Sequence, residues 1–277
     1  MSLTSINNER QLTDALGTHH QVAGAQARIV SLVPSITELL FDLDLAPQVV
    51  GRTGFCIHPK DRVKRVAKVG GTKSIEIGRI KRLAPTHLIV NIDENPRATV
   101  EALARFVPHV IVTHPVEPRD NLMLYRLLGG IFSREDRAED LCRRFERGYE
   151  ETLAATVGLP RRRVLYLIWK SPWMTVARDT YISRTLATIG WDTYEAKGTA
   201  RYPAFNLTSE RLKDVDFVLL SSEPYSFRER HCVEILDMLP AGSRTRVALI
   251  DGSMTSWYGS RAIEGLAYLT DFRRNLR

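Results

Sequence analysis

The chain has 277 residues, and its 44% hydrophobic and 26% charged residues are ordinary for a globular protein, which excludes disordered and fibrous classes. No apolar run approaches about 18 residues, so we expect no membrane insertion. The net charge of +7 permits an acidic partner, but no nucleic-acid-binding motif accompanies it, so we expect no nucleic-acid partner. Part of the positive charge lies in the run 161–163, which we interpret as the solvated flank of a strand.

The first part of the chain predicts an α/β lobe. Residues 1–27 have few apolar side chains and are predicted to form a poorly ordered extension, and order is predicted to begin with the buried strand 28–34. Ser35 and Glu38 then form a capping-box pattern for a helix that ends at Leu43. Further elements follow in alternation, which predicts a parallel sheet. They are strands at 49–51, 87–93 and 110–113 and helices at 75–83 and 97–106.

The middle of the chain predicts one long helix over residues 133–157. Apolar side chains recur there every four residues, at Leu141, Phe145, Tyr149 and Leu153. Ser133 is the predicted N-cap, and the sequence Gly-Leu-Pro at 158–160 is a stop signal.

After this helix the alternation of strands and helices resumes. Strands are predicted at 163–169, 174–177, 217–221 and 247–250, with a helix at 181–189 that ends before Gly190 and a closing helix at 261–276. We therefore predict an α/β fold of two Rossmann-like lobes with parallel sheets joined by one long α-helix. The predicted divisions are an extension at 1–27, an N-terminal lobe at 28–118, a connecting segment with the long helix at 119–160, and a C-terminal lobe at 161–277.

Several segments in this order and spacing match a known pattern: 28–40, 50–55, 69–71, 80–85, 164–169, 207–218 and 256–260, together with Pro59. In them the sequence resembles the cobalamin- and iron-chelate-binding proteins of ABC importers, the helical-backbone class III periplasmic binding proteins. The resemblance implies a corrinoid, or as a second choice an iron chelate such as a siderophore complex or haem, held in a cleft between two lobes. It implies an ABC permease as protein partner, no enzymatic activity and no catalytic cofactor.

The expected ligand contacts are Ser35, Phe55, His58, Asn91, Asp93, Trp169, Trp173, Tyr202, Tyr225, Trp257, Tyr258 and Arg261. Three of the four tryptophans follow predicted strands, and an aromatic platform suits a flat macrocycle, although packing between lobes is the alternative. The polar segment 91–95 offers hydrogen bonds to a ligand or, alternatively, caps the helix after Pro96.

The remaining chemistry of the sequence is sparse. His58 is an axial ligand for a bound metal complex or, alternatively, a solvated loop histidine. Arg261 is one of several cations suited to an anionic chelate. The pattern GxSxG is absent and no Ser, His and acid fall in a plausible order, so we predict no catalytic residues. The three cysteines have no CxxC spacing, and we predict no resident metal site and no disulfide framework.

The resemblance also has departures. Cobalamin-binding members carry a glutamate in each lobe for docking onto a transporter; the second is kept here as Glu210, but at the first position the chain reads Ile77-Gly-Arg79, which should weaken docking. Residues 1–27 lack the pattern of a secretory signal, so the sequence as written predicts a cytoplasmic protein, with a periplasmic protein whose leader was removed as the alternative. Three functions remain open: a binding protein for ABC-type uptake, a cytosolic carrier or sensor of the same fold, and, as the weakest, an enzyme that uses the cleft.

Overall fold

A computed structural model describes residues 12–72, 74–195 and 198–276. The chain divides into two compact units. The first takes in the described residues up to Pro115, with Arg119–Phe145 and Tyr258–Arg261, and the second takes in Val116–Pro118, Glu146–Trp257 and Ala262 onward. The domain boundaries drawn from the sequence stay predictions. Among the described residues, no helix combines the length and apolarity needed to cross a bilayer.

The first unit is built on a five-stranded parallel sheet in the order β3-β2-β1-β4-β5. Its strands are β1 (Ile29–Ser31), β2 (Val49–Arg52), β3 (Ala67–Lys68), β4 (His87–Asn91) and β5 (His109–Thr113). Its helices are α1 (Pro34–Asp42), α2 (Ile77–Leu83), α3 (Arg97–Ala104) and α4 (Asp120–Ile131). The two central strands are buried along their whole length, which is why they appear in the sequence as continuous apolar runs.

The predicted capping box at Ser35 is wrong. Helix α1 begins at Pro34, and its N-cap is Val33, which makes no side-chain capping bond. Proline suits the first helical position because it lacks an N–H and its φ is already helical. Ser35 therefore lies inside the first turn, 3% exposed, and its Oγ has no hydrogen-bond partner in the part of the chain that the structure describes.

The long helix predicted from residue 133 is α5 (Glu135–Thr156), and the expected N-cap is also wrong. Ser133 has a φ of 52°, which lies in the left-handed region. It therefore ends the helical conformation after α4 and separates α4 from α5. The apolar stripe is buried at Leu141 and Phe145. Leu153 is 40% exposed, so the stripe does not extend to the end of the helix.

The second unit contains a four-stranded parallel sheet in the order β11-β10-β6-β8 and a separate antiparallel pair, β7-β9. Its strands are β6 (Arg162–Leu167), β7 (Trp173–Met174), β8 (Trp191–Thr193), β9 (Ala204–Phe205), β10 (Phe217–Ser221) and β11 (Arg246–Ile250). Its helices are α6 (Tyr181–Thr188), α7 (Ser209–Leu212), α8 (Glu229–Met238) and α9 (Gly252–Ser256), and α10 (Arg261–Asn275) begins in the first unit. Gly190, with a φ of 72°, follows α6 as the sequence predicts.

The N-terminal extension falls partly outside the described residues, which begin at 12. Asp14 anchors the described part. Its carboxylate accepts hydrogen bonds from the backbone amides of Val112 in β5, Leu16 and Thr18, at 2.9–3.0 Å, and pairs with His20 at 3.1 Å. Burial by itself raises the pKa of Asp14, but the hydrogen bonds from His20 and these amides outweigh it and hold the pKa below its usual value.

We expect Asp14→Ala to lower the free energy of unfolding by about 2 to 3 kcal/mol, because it leaves buried N–H groups without an acceptor. The contribution of the carboxylate is fully present above its unfolded pKa of about 3.9 and is lost as the pH falls through the lower folded value. Urea unfolding at pH 7 and at pH 3 should therefore show a smaller difference between variant and wild type in acid. The exposed Asp42→Ala is the control and should change stability by less than about 0.5 kcal/mol; an equal loss in both variants would contradict the assignment.

Candidate ligand-binding site

The predicted contact residues follow the carboxyl ends of parallel strands in each unit. In the first unit Ser35, Phe55 and Asn91 come at or after the ends of β1, β2 and β4. In the second unit Trp169, Tyr225 and Trp257 come after β6, β10 and β11. Because neighbouring parallel strands end at the same edge of a sheet, each group gathers at one edge of its own sheet, where open α/β sheets bind ligands.

Phe55 is presented to solvent by a loop that is anchored beneath it. Its side chain is 62% exposed, whereas the next residue, Cys56, is fully buried and lies 3.1 Å and 3.2 Å from the hydroxyls of Thr37 and Thr53. Burial raises the pKa of the Cys56 thiol, so it stays neutral. A Cβ at Gly71 would lie 3.2 Å from the Phe55 ring, so glycine leaves room for the ring. The loop therefore holds an apolar ring in water.

Two polar residues of the turn after β4 are used inside the first unit. Asn91 is 2% exposed; its Nδ2 donates to the Thr113 carbonyl at 3.0 Å, and its Oδ1 accepts from the Asp93 amide at 2.8 Å. Asn95 accepts from the Asn91 amide at 3.0 Å, while α3 begins after Pro96 without a side-chain cap. Asn91 thus shapes the turn, and a direct contact between Asn91 and a ligand stays a prediction.

Asp93 and His58 lie nearer to the surface. The Asp93 carboxylate is 3.6 Å from Nε2 of His114, and their side chains are 18% and 23% exposed. His58 is partly buried, three residues after Phe55. Its role as an axial ligand stays a prediction. Among the described residues, no group of three His, Cys, Asp or Glu side chains is arranged to hold a metal ion.

Tyr258 and Arg261 are held by Glu94 and Glu38, two glutamates to which the sequence assigns other roles, in the polar segment 91–95 and in a capping box. The Tyr258 hydroxyl donates to Glu94 at 2.6 Å, and Tyr258 is 6% exposed. Arg261 forms a two-pronged ion pair with Glu38, including Nε to Oε2 at 2.7 Å, and the two side chains are only 9% and 13% exposed. The Glu38 carboxylate balances the charge of Arg261, which weakens the case for Arg261 as a receptor for an anionic chelate.

The second unit has an aromatic cluster, defined here as Trp169, Trp173, Tyr225, Phe227 and His231. Trp169 meets Tyr225 edge to face at 5.6 Å between ring centres, and Tyr225 lies 4.7 Å from Phe227. Phe227 is parallel to Trp173 at 6.1 Å. His231 packs against both Tyr225 and Phe227. Edge-to-face and parallel contacts of this kind fix the ring orientations.

Main-chain hydrogen bonds hold the cluster at the end of β6. The Met174 amide donates to the Trp169 carbonyl at 3.1 Å, and the Ile168 amide donates to the Met174 carbonyl at 3.0 Å, so the chain doubles back between the two tryptophans. The Tyr225 amide donates to the Ile168 carbonyl at 3.3 Å. Trp169 remains 39% exposed and is the most exposed member of the aromatic cluster.

Charged groups border the aromatic cluster. The Lys170 ammonium lies 5.4 Å from the centre of the Trp173 ring and forms an ion pair with Glu234. Burial, followed by the positive charges of Arg230 and Lys170, lowers the pKa of His231, which favours a neutral imidazole. No local sequence pattern indicates Phe227 and His231, because only folding brings residues 225–231 against residues 169–173.

Trp257 and Tyr202, two of the ligand contacts predicted from the sequence, have little or only part of their side chain exposed to solvent. Trp257 is 8% exposed, and its indole N–H and the Ser256 hydroxyl both donate to the carboxylate of Glu223. Tyr202 is partly buried and packs against the core that contains Trp191. Both assignments as ligand contacts stay predictions.

The two positions compared with transporter-docking glutamates differ in character. Glu210 is 84% exposed, with Lys213 at 3.6 Å. In the first unit, Arg79 lies 2.8 Å from the carboxylate of Glu76, and both side chains are half exposed. An acidic group is therefore present three residues before Arg79, but it is paired with that arginine.

Comparisons with known proteins agree with this fold. The sequence profile of the family described as "Periplasmic binding protein" matches residues 29–214. The Vitamin B12-binding protein of Photorhabdus laumondii subsp. laumondii is 26% identical over 96 residues, which cover 35% of this chain and 34% of that relative. The match therefore spans about a third of the length of the curated relative.

Solved structures match over nearly the whole chain. The periplasmic vitamin B12 binding protein BtuF of Vibrio cholerae has a TM-score of 0.75 at 14% identity, with 90% of this chain and 97% of that chain covered. The periplasmic heme-binding protein RhuT from Roseiflexus sp. RS-1 has a TM-score of 0.75 at 21% identity, with 91% and 99% covered. The predicted α/β fold with parallel sheets, of the class III binding-protein type, is confirmed.

The buried pair of Glu38 and Arg261 gives a test of the first unit. We expect Glu38→Leu to lower the free energy of unfolding by about 3 kcal/mol, because it removes the carboxylate that forms a largely buried ion pair with Arg261. Glu38→Leu combined with Arg261→Met should lose less than the sum of the two single changes, measured by urea unfolding in a double-mutant cycle. The control is Glu101→Ala, in the exposed pair with Arg97 (59% and 91% exposed), for which we expect at most about 0.5 kcal/mol. Additive single and double losses would contradict the coupling.

Proposed function

The chain belongs to the periplasmic binding protein family, and from this premise we propose that it binds a bulky metal-bearing macrocycle or metal chelate through the aromatic cluster of its second unit. A corrinoid is the first ligand that we propose, and an iron chelate such as haem or a siderophore complex is the second. The observation that carries the proposal is the exposed indole of Trp169, held edge to face on Tyr225 at the end of β6.

The physical argument is that a flat ligand needs a rigid aromatic surface. Stacked rings gain dispersion and remove apolar area from water, and a surface fixed in advance loses little conformational entropy on binding. Trp169 is fixed by the backbone turn between Ile168 and Met174 and by its contact with Tyr225. Vitamin B12 and haem, which the names of the relatives give as ligands of those proteins, are both metal-bearing macrocycles.

Phe55 is the second aromatic surface that we propose for ligand contact. It is exposed while its loop is anchored at Cys56, so that contact with an apolar ligand would cover a ring that now faces water. The placement of the ligand in a cleft between two lobes stays a prediction of the sequence.

We propose binding without turnover. The family and the structural neighbours reported above are binding proteins, which supports this view.

The cellular role that we propose is delivery to an ABC permease, with Glu210 as an exposed docking residue. The relatives are periplasmic, which favours the periplasmic alternative and gives no support to the cytoplasmic one. The pairing of Arg79 with Glu76 keeps a carrier of the same fold, acting without a transporter, as the second candidate.

Titration of the purified protein with cyanocobalamin, hemin and ferrichrome tests the ligand class. We expect saturable binding of one of them by calorimetry, with quenching of tryptophan fluorescence because Trp169 is covered by the ligand. The absorption spectrum of the bound ligand should stay constant over hours. Binding of none of the three would refute the proposal, and a spectrum that changes with repeated turnover would refute binding without chemistry.

Variants of Trp169 test the surface itself. We expect Trp169→Ala to weaken binding about fivefold to tenfold, which corresponds to about 1 kcal/mol for a stacked ring. Trp169→Phe is the matched control and should keep most of the affinity because it keeps an aromatic face. Thermal unfolding of both variants should stay close to wild type, since the side chain is 39% exposed. Equal affinity in all three proteins would place the ligand elsewhere.

A further inference from the structure

We propose that the second unit has another binding site, for a phosphate group, in an arginine pocket at the edge of its sheet where the strands begin. The pocket has a volume of about 480 Å³ and is lined by Arg161, Arg162, Arg163, Arg178, Asp192, Asp214 and Asp216. This proposal does not depend on the macrocycle proposal, because the pocket lies at the opposite ends of the strands from the aromatic cluster.

The topology explains why these residues meet. Strands β6, β8 and β10 are parallel neighbours, so their amino ends lie side by side. The run 161–163 enters β6 there, Asp192 lies in β8, and Asp214 and Asp216 precede β10. The arginines that we interpret from the sequence as a solvated flank therefore line a concavity. Its volume falls within the range of small-molecule sites.

Two of the three aspartates are already neutralised. Asp192 forms a two-pronged pair with Arg161, including Nε to Oδ2 at 2.8 Å. The hydrogen bonds from Arg161 are the main cause that lowers the pKa of Asp192, so its carboxylate stays charged. Asp216 accepts from Arg162 at 3.3 Å and from the Arg163 amide at 2.8 Å. Asp214 is exposed and would oppose an anion, so the remaining arginines must outweigh it.

Arg163 and Arg178 are the two cations available to a ligand. The Arg163 guanidinium donates to the carbonyl of Asp214 at 3.4 Å, a weak bond to a neutral group. Arg178 lies 3.6 Å from Glu195, and these side chains are 63% and 66% exposed, so the pair is weak. A guanidinium group binds phosphate oxygens in a planar, two-pronged geometry, and two guanidinium groups match a doubly charged phosphate better than a single carboxylate.

A buried arginine nearby carries charge without a carboxylate. Arg273 is 6% exposed; its Nη2 donates to the Pro160 carbonyl at 2.7 Å, while its buried Nη1 has no hydrogen-bond partner among the described residues. Burial is the main cause that lowers the pKa of Arg273, and the positive charges of Arg162 and Arg161 in the pocket lower it further. An anion in the pocket would reduce this repulsion.

The test uses the whole protein with inorganic phosphate and pyrophosphate as probes, at one ionic strength maintained with potassium chloride. We expect calorimetry to show saturable binding of pyrophosphate. In the double variant Arg163→Gln, Arg178→Gln the affinity should fall about tenfold or more, because two charge-assisted interactions are lost. The single variant Arg178→Gln should show an intermediate loss. Both side chains are exposed, so the variants should fold, which circular dichroism checks.

The control has the same loss of charge away from the pocket: Arg105→Gln with Arg147→Gln, both exposed. It should bind pyrophosphate within twofold of wild type.

The same proteins are sedimented with vesicles of phosphatidylglycerol or of phosphatidylcholine alone. Loss of pyrophosphate binding only in the pocket variant supports a free phosphate compound, and loss of phosphatidylglycerol binding only in that variant supports a lipid headgroup. The proposal is overturned if the wild-type protein binds neither pyrophosphate nor phosphatidylglycerol vesicles. It is also overturned if the pocket and control variants lose the same affinity.

Discussion

The structure depends on parallel strands that are buried on both faces. All five residues of β4 and all five of β10 are buried, and each strand is paired on both sides with a parallel neighbour. Side chains in such strands have no access to solvent, so chemistry is possible only in the segments before and after them. Strand direction then separates the chemistry of the second unit, with aromatic rings after β6 and β10 and the arginine run at the amino end of β6.

Burial also decides which polar residues are free to act. An uncompensated charge is costly in a protein interior, so Glu38 and Arg261 are paired, and the Glu223 carboxylate is met by Trp257 and Ser256. Asn91 is neutral but buried, and because a buried polar group also needs partners it bonds to the Asp93 amide in its own turn and to the Thr113 carbonyl at the end of the neighbouring strand β5. Several residues that have the right chemistry for a ligand therefore support the loops, while Phe55 and Trp169 remain at the surface.

The sequence predicts the elements that local patterns determine. Strand β10 is found at the predicted residues, and Gly190 ends α6, because an apolar run and a glycine with positive φ are local signals. The start of α1 and the break at Ser133 were missed because a proline and a left-handed residue overrode the apparent caps. The aromatic cluster was predicted only at Trp169, Trp173 and Tyr225; Phe227 and His231 join it through tertiary contacts that no local pattern encodes.

The antiparallel pair β7-β9 is a sheet separate from the four-stranded sheet, but its side chains Trp173 and Phe205 pack against the core of the second unit. It consists of two residues in each strand and aligns Trp173 with Phe205. A pair this short has little stability of its own and relies on side-chain packing beneath it. Substitutions on its outer surface would therefore leave the folding of the parallel sheet largely intact. The surface of this ribbon can therefore change by substitution while the scaffold beneath it stays the same.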